Sequence, residues 1–145
     1  MDSRLESFLL GKSSKRSLRY LGYSVVLMAL FFGQLHLAGS FEMGNASNLV
    51  MSPLGVTVVA GILAGRHTYR NDGVLVSIAA AVITMNGYAL YSVISLTNPQ
   101  PDYGLLTGVG TAILYGAPIG IIASTTVYAL RRYAPSLSSV AVTEK

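Results

Sequence analysis

The sequence predicts an all-α integral membrane protein, a bundle of four transmembrane helices with both termini in the cytoplasm and a short interfacial helix at the N terminus. The chain of 145 residues contains 52% hydrophobic but only 11% charged residues, far from the composition of an ordinary soluble domain. Four apolar stretches, at about residues 20–38, 46–65, 74–96 and 103–130, contain no Asp, Glu, Lys or Arg. We therefore predict one transmembrane domain over residues 20–130.

The distribution of basic residues predicts the orientation of these spans. Every Lys and Arg lies in residues 1–19, 66–73 or 131–145, whereas the other two links carry Glu42 and Asp102 and no basic residue. Cytoplasmic loops of membrane proteins are enriched in Lys and Arg. The sequence therefore predicts a multi-pass protein whose termini and middle link are cytoplasmic, which we interpret as a protein of a prokaryotic plasma membrane.

Residues 1–19 form a basic tail with a helix-start signal. Ser3 and Glu6 have the spacing of a capping box, and Phe8 and Leu9 fall on one face of the helix that would follow. One interpretation is an interfacial helix lying on the anionic inner leaflet. The other is an irregular tail whose charges serve to set the orientation.

Residues 20–38 have the length of a first transmembrane span, which needs about 20 apolar residues. A cleaved signal peptide is the alternative, since a basic segment precedes the stretch and Ala-Gly-Ser at residues 38–40 resembles a cleavage site. Gln34 and His36 near its end favour a retained span. Both are also candidate polar residues within the membrane, close to its outer surface.

The second apolar stretch is short if its helix begins at the proline. From Pro53 to Gly65 a helix would be roughly 20 Å long, less than the ~30 Å hydrocarbon core. We therefore predict that the helix begins near residue 46 and that Pro53 kinks it, a re-entrant half-span being the alternative. Residues 66–73 are then a polar turn, in which His67 is a solvated side chain rather than a pH sensor.

The third span, residues 74–96, carries Asn86 near its midpoint. An amide without a partner is costly to bury in the middle of a bilayer, so Asn86 is the main candidate for an intramembrane polar site. We predict that it either bonds a hydroxyl such as that of Thr57 or Thr111 or faces a wet pathway. An interhelical bond of this kind contributes about 0.6 kcal/mol on average.

The fourth span, residues 103–130, has a small residue at every fourth position: Gly104, Gly108, Ala112, Gly116, Gly120 and Ser124. Such GxxxG-type spacing lets helix backbones approach closely in lipid, typically in right-handed crossings. We predict that this span is the centre of the bundle. Because positions four apart drift about 40° around a helix, the first three should face a helix of the same chain. The last three, which include positions on both sides of a kink at Pro118, should face Gly61 and Gly65 or a second copy.

The second and fourth stretches resemble each other around their prolines. Pro53-Leu-Gly-Val in one corresponds to Pro118-Ile-Gly-Ile in the other, and Arg66 and Arg131 follow at the same distance. This pattern indicates a parallel repeat of two helical hairpins, unless shared membrane composition produces it by chance. A true repeat predicts equivalent positions for the two spans in the bundle.

Several residue types that chemistry needs are missing from the sequence. The chain has no Cys, which excludes disulfides and thiolate chemistry, and its apolar stretches offer no carboxylate for proton-coupled export. We find no motif for catalysis, a cofactor or a metal. The positive charge is confined to the two tails and one link, which argues against nucleic acid as a partner.

These observations predict a protein without enzymatic activity. The leading interpretation is a membrane scaffold or accessory subunit that packs in the lipid bilayer against itself or other membrane proteins through small-residue helix faces. The alternative is a small oligomeric pore or carrier with Asn86 lining the pathway. Residues 131–145, which are rich in Ser and contain Pro135, are predicted to be a disordered cytoplasmic tail.

Overall fold

The helices of the protein follow the apolar stretches of its sequence. The computed structural model describes residues 3–40, 52–94 and 104–140, which contain helices and turns and no β-strand. A short helix, α1 (Ser3–Leu10), precedes four long helices: α2 (Ser14–Ser40), α3 (Pro53–Asn71), α4 (Val74–Ile94) and α5 (Leu105–Val140). In this part of the chain, three segments are long and apolar enough to cross a membrane, and they include α4 and most of α2 and α5.

The four long helices alternate in direction. The turn between α1 and α2 contacts the end of α3, because the Lys12 N–H donates to the Asn71 carbonyl at 2.8 Å. Arg131 of α5 reaches Asp72, which connects α3 to α4. The starts of α2 and α4 and the Arg131 region of α5 therefore lie together at the end of the bundle that we call the basic end. Its basic residues are Lys12, Lys15, Arg16, Arg19, Arg66, Arg70, Arg131 and Arg132.

Helix α4 occupies the centre of the bundle. It packs against α2, α3 and α5, whereas α2 and α3 make far fewer contacts with each other. Most of its buried residues are small and lie on more than one face, namely Ser77, Ala80, Ala81, Thr84 and Ala89, beside the larger Val76 and Met85. Small side chains let several neighbours approach one helix closely. The prediction that the fourth apolar stretch is the centre is wrong, because the small residues of α5 form a single row.

Two glycines of that row lie directly against the backbone of α4. A Cβ atom placed on Gly116 would be 2.6 Å from the Cα of Val82, and one on Gly120 would be 2.6 Å from the Cα of Ile78. Any side chain at either position would force the two helices apart. These glycines are therefore buried inside the chain and do not form a surface for a second copy.

The glycines of α3 have different neighbours. Gly61 faces the side chain of Ile119, and Gly65 faces Ala123 and Val127, with all three on α5 and at ordinary contact distance. The structure thus differs from the predicted pairing of Gly61 and Gly65 with the glycines at the end of the row. The backbone of α4 already fills the space in front of those glycines.

The remaining members of the row vary in exposure. Gly108, Ala112 and Ser124 are buried, whereas Gly104 is exposed and has no atom near the place of a Cβ. Ser124 bonds Thr68 of α3 at 3.0 Å. Within the row, Gly116 and Gly120 therefore contact α4, and Ser124 contacts α3 near the basic end.

Helix α3 begins at Pro53 itself. The preceding residue, Ser52, is extended with ψ 155°, and its hydroxyl accepts from the Gly55 N–H at 3.1 Å. Proline suits the first position of a helix because its missing N–H would have no partner there. The prediction that Pro53 kinks a helix begun near residue 46 is wrong, since Ser52 is an N-cap. Residues 41–51, where that start was placed, lie outside the described residues.

The same helix also ends later than predicted. It runs through the expected turn to Asn71, and Asp72 caps it in the left-handed conformation with φ 59°. The helix has 19 residues and continues six residues past Gly65, so the link between α3 and α4 shrinks to Asp72 and Gly73. The end of the membrane span at Gly65 stays a prediction, because Arg66 and Arg70 follow it on the same helix.

Two other boundaries differ from the sequence prediction. Part of the predicted N-terminal tail belongs to α2, which begins at Ser14, and the predicted C-terminal tail is helical as far as Val140. Pro135 lies inside α5, where it removes the hydrogen bond to the Arg131 carbonyl without ending the helix. The short N-terminal helix is present as α1, and its Phe8 ring lies 5.5 Å from that of Tyr128 on α5.

The two similar proline segments occupy different positions. Pro53 is the first residue of its helix, whereas Pro118 lies in the interior of α5. Arg66 lies on α3 beside α2, whereas Arg131 pairs with Asp72. The resemblance in sequence therefore does not produce equivalent environments.

Candidate functional site: the basic end of the bundle

Two tight turns meet at the basic end. Gly11, between α1 and α2, has φ 93°, and a Cβ there would lie 2.4 Å from the Asn71 side chain. A Cβ on Gly73, between α3 and α4, would lie 2.9 Å from the Gly11 nitrogen. The left-handed φ favours glycine at the first position, and lack of space favours it at both.

Asn71 joins these turns through its side chain. Its Oδ1 accepts from the Ser13 N–H at 2.9 Å, and its Nδ2 donates to the Ser13 carbonyl at 3.1 Å and the Ser17 hydroxyl at 2.8 Å. The residue is fully buried. Because a buried amide without partners costs about 1–3 kcal/mol per lost bond, these contacts fix α2 against the end of α3.

His67 lies one turn before Asn71 and is also fully buried, with 0% of its surface exposed. Its Nδ1 is 2.8 Å from the Ser77 hydroxyl, its Nε2 is 3.2 Å from the Asn71 amide nitrogen, and its ring packs edge-on against Tyr20. Since Asn71 Nδ2 can only donate, the facing Nε2 carries no hydrogen and shares one of the two Asn71 amide hydrogens with the Ser13 carbonyl, while Nδ1–H donates to Ser77. The prediction of a solvated His67 is wrong, because the helix continues past it.

A chain of hydroxyl groups continues from Ser77 across three helices. Ser77 donates to the Gly73 carbonyl at 2.9 Å and lies 2.7 Å from Thr68, which in turn lies 3.0 Å from Ser124 of α5. The arrangement that satisfies each group has Ser124 donating to Thr68 and Thr68 donating to Ser77. We call His67, Thr68, Asn71, Ser77 and Ser124 the buried polar network. It connects α3, α4 and α5, and its hydrogen-bond donors have acceptors within the bundle.

The Ser77–His67 pair has the spacing of a nucleophile and its base. Both side chains are fully buried, however, and the Ser77 hydroxyl hydrogen is held by the Gly73 carbonyl. A reacting serine must reach its substrate and release its proton to the base. The arrangement therefore holds helices together and does not present a nucleophile.

Asp72 connects the turn before α2 to α5 at the surface of the basic end. Its carboxylate pairs with Lys12 at 2.5 Å and with Arg131, and its carbonyl accepts from the Tyr128 hydroxyl at 2.6 Å. Burial alone would raise the pKa of Asp72, but the hydrogen bonds and positive charges of Lys12 and Arg131 outweigh it. The pKa therefore lies below its ordinary value, and Asp72 is ionised at neutral pH.

Burial also affects His67, which lies beyond the apolar part of α3. Loss of hydration lowers the pKa of His67 below its ordinary value, and a hydrogen bond to the Gly73 backbone offsets part of the change. The side chain is therefore neutral at neutral pH, in agreement with the hydrogen-bond assignment. A proton on Nε2 would remove the acceptor that the Asn71 amide uses.

The polar residues that the sequence singled out do not converge. Asn86 donates to the Met28 sulfur at 3.8 Å, and its Oδ1 is buried without a hydrogen-bond partner. The hydroxyls predicted to meet it bond their own helices, Thr57 to the Pro53 carbonyl and Thr111 to the Thr107 carbonyl. Asn86 therefore packs between α4 and α2 without the predicted hydroxyl.

Gln34 and His36 lie on α2, far along the chain from the basic end. Both side chains are exposed, and the His36 ring stacks on Phe32 with the centroids 6.2 Å apart. They point away from the packed interior of the bundle. The structure thus brings neither residue near Asn86 or the buried polar network.

The basic end also contains an open cleft of about 520 Å³ between α2 and α3. Four arginines line it together with two tyrosines and a leucine: Arg16, Arg19, Arg66, Arg70, Tyr20, Tyr23 and Leu63. Arg16 donates to the Arg70 carbonyl at 3.1 Å across the cleft. This is the largest concentration of like charge in the described part of the chain.

The sequence contained signals for both features. His67 and Asn71 are four residues apart, as are Arg66 and Arg70, so each pair falls on one face if the segment is helical. The interpretation of residues 66–73 as a turn concealed this spacing. Comparisons of the chain with protein families, with curated proteins and with solved structures found no match.

Proposed function

We propose that the chain is an integral membrane protein without catalytic activity, which crosses the bilayer four times and serves as a scaffold or accessory subunit. The observation that carries the proposal is the distribution of side-chain size. The interior of the bundle consists largely of Ala, Ser, Thr and Gly, whereas Leu54, Leu106 and Leu114 are at least 69% exposed.

This distribution is unfavourable for a protein in water, where burial of large aliphatic side chains provides the main driving force. In a bilayer the lipid tails are as apolar as leucine, so close packing of small residues and hydrogen bonds hold helices together instead. Large outward side chains then contact lipid. The same reasoning favours α3 in the membrane with α2, α4 and α5, because α3 packs against α4 and α5 and exposes Leu54, Val58 and Ile62.

The orientation is open to a direct test because the chain has no cysteine. Single cysteines at Glu42, Asp102 and Arg132 in the full chain would be labelled with a membrane-impermeant maleimide in intact cells and after permeabilisation. We expect labelling of the first two from outside and of position 132 only after permeabilisation. Labelling of all three from the same side would contradict the proposed four spans.

The scaffold role is supported by the way the polar side chains are used. Each member of the buried polar network bonds another helix or turn, so these groups stabilise the bundle. Purification of the full chain in mild detergent, followed by native mass measurement, would reveal copies or partners that remain bound. A lone monomer in every detergent that keeps the chain folded would contradict the scaffold role.

The alternative function, a small oligomeric pore or carrier, receives less support. It requires Asn86 to face a polar pathway, and the side chain lies against Met28 instead. A second cleft of about 270 Å³, near Met85 and Tyr88, does not include Asn86 in its lining. Ion or solute flux through vesicles that contain the purified chain, abolished by Asn86→Leu, would favour the pore over the scaffold.

A further inference from the structure

The cleft between α2 and α3 is an unusual feature for the surface of a small bundle. Its volume of about 520 Å³ falls within the range of ~300–1,000 Å³ that is typical of small-molecule sites. It exists because α2 packs mainly against α4, and α3 against α4 and α5, whereas α2 and α3 have few contacts with each other. The two helices therefore leave a groove, and the cleft lies at its basic end.

Helical spacing brings the four arginines together. Arg16 and Arg19 are three residues apart on α2, and Arg66 and Arg70 are four apart on α3, so each pair lies on one helix face. The two faces meet across the cleft, where Arg16 bonds the carbonyl of Arg70. The guanidinium groups are thus presented from two sides to the same space.

No carboxylate in the described part of the chain neutralises these arginines. The acidic residues there are Glu6 and Asp72, and neither lines the cleft. Asp72 is already paired with Lys12 and Arg131. Four like charges at close range repel one another unless an anion lies between them, so the cleft has the charge of a site for an anion.

The chemistry of the lining narrows the kind of anion. Guanidinium groups bind phosphate oxygens through paired N–H donors. The other lining residues, Tyr20, Tyr23 and Leu63, form an apolar and aromatic wall. Further along the same helices, Leu27 and Val59 are half-buried and pack on the hydrophobic core. The groove therefore changes from basic at one end to apolar further along. A ligand with phosphate at one end and hydrocarbon at the other matches this arrangement.

We propose that the cleft binds the headgroup of a phospholipid with two phosphates, with the four arginines on the phosphates and the acyl chains along the groove between α2 and α3. The inference rests on the proposed membrane placement, with the basic end in the leaflet that faces the cytoplasm. Basic pockets between transmembrane helices on that side are known to suit such headgroups. The bound lipid would fill the groove that α2 and α3 leave between them.

The test uses the full chain in mild detergent and native mass spectrometry with added lipid. Diphosphatidylglycerol, phosphatidylglycerol and phosphatidylcholine serve as probes with two, one and no net negative charges. We expect one tightly retained diphosphatidylglycerol per chain, and apparent affinity at least tenfold lower for the other two lipids. Equal retention of all three would overturn the proposal.

The variant Arg19→Gln/Arg66→Gln removes two charges from the cleft, and Lys15→Gln/Arg132→Gln removes two from the same end outside it. We expect the first variant to bind diphosphatidylglycerol at least tenfold more weakly and the second less than twofold more weakly. Equal weakening would indicate a general attraction to positive charge and would contradict a built site. Arg19→Lys/Arg66→Lys, which keeps the charge but loses the paired donors, should bind with intermediate affinity.

Competition with inorganic phosphate and glycerol phosphate separates a lipid site from one for soluble anions. We expect neither to displace the lipid at a thousandfold excess, and displacement by either would overturn the lipid assignment. Each variant is checked for an unchanged melting temperature and for the cysteine labelling pattern described above. Correct labelling without lipid retention would refute this inference alone, whereas wrong labelling would refute the proposed membrane placement.

Discussion

The two helical hairpins of this protein, α2 with α3 and α4 with α5, are held together by different means. In the second hairpin, Gly116 and Gly120 place the backbones of α4 and α5 in contact. In the first hairpin, α2 and α3 have few contacts, and an arginine-lined cleft separates them at the basic end. Near the cleft, hydrogen bonds join these two helices and their turns. The Asn71 side chain makes some of them, and Arg16 donates another to the Arg70 carbonyl.

Under the proposed membrane placement, the difference shows how side-chain size decides what kind of contact two helices can make. Small residues allow continuous van der Waals contact, which stabilises a helix pair where water is absent. Bulky charged residues prevent that contact, and a pair that carries them needs specific polar bonds at one point. The resulting gap is available to a ligand, which a glycine-packed interface is not.

The largest effect on stability is expected from large side chains placed where α4 and α5 touch in the second hairpin. Gly116→Leu/Gly120→Leu should destabilise the protein by more than about 3 kcal/mol, because overpacking costs ~1–3 kcal/mol per site and here the obstacle is backbone. Unfolding of the purified chain by SDS, followed by circular dichroism, would measure the loss. Gly104→Leu/Gly110→Leu is the matched control on the same helix, since nothing lies near either position. Equal effects from both pairs would contradict the described α4–α5 contact.

The next largest effect concerns the polar bond that holds the first hairpin. Asn71→Ala should cost about 3 kcal/mol, because it removes several hydrogen bonds and leaves the Ser13 N–H and Ser17 hydroxyl with fewer partners. Thr125→Ala, which removes an exposed hydroxyl bonded within its own helix, should change stability by less than about 0.5 kcal/mol. A change in the SDS midpoint that is the same for both variants would refute the role given to Asn71.

Acidification should weaken the basic end in two steps. The pKa values of His67 and Asp72 are lowered in the folded state, so the unfolded chain takes up protons first and stability falls as pH falls. The contribution of His67 is complete above about pH 6.5 and that of Asp72 above about pH 3.8. Melting temperature between pH 8 and pH 3 would show both steps, and His67→Gln should remove the upper one. A melting temperature that rises below pH 6.5 would contradict the burial of neutral His67.

The smallest effect on stability is expected at the cleft. Arg19→Gln/Arg66→Gln should leave the lipid-free protein within about 0.5 kcal/mol of the original, and slightly more stable at low salt, because unpaired like charges repel. Melting curves in detergent at 20 mM and 500 mM salt would test this. A large destabilisation by the double variant would mean that these arginines hold the first hairpin together, and the contrast between the two hairpins would disappear.

Much of the architecture could be predicted without the structure. Chargeless stretches of about 20 residues require helices, because only a helix satisfies its own backbone groups in an apolar environment. The positions of α2, α4 and α5 followed from this. The start of α3 did not, because a length argument outweighed the N-cap signal of Ser52 followed by Pro53. The length argument assumed that the helix ends at Gly65. The helix in fact continues through polar residues to Asn71.

The sequence by itself determined that the chain forms apolar helices with basic residues grouped beside the apolar stretches, since composition and backbone hydrogen bonding depend on local segments. The tertiary structure alone decided which helix is central, that His67 and Asn71 are buried, and that four arginines from two helices share one cleft. Those outcomes depend on how helices rotate and on which neighbours they meet. Residues more than 40 positions apart along the chain, such as Arg19 and Arg66, become neighbours only when the helices pack.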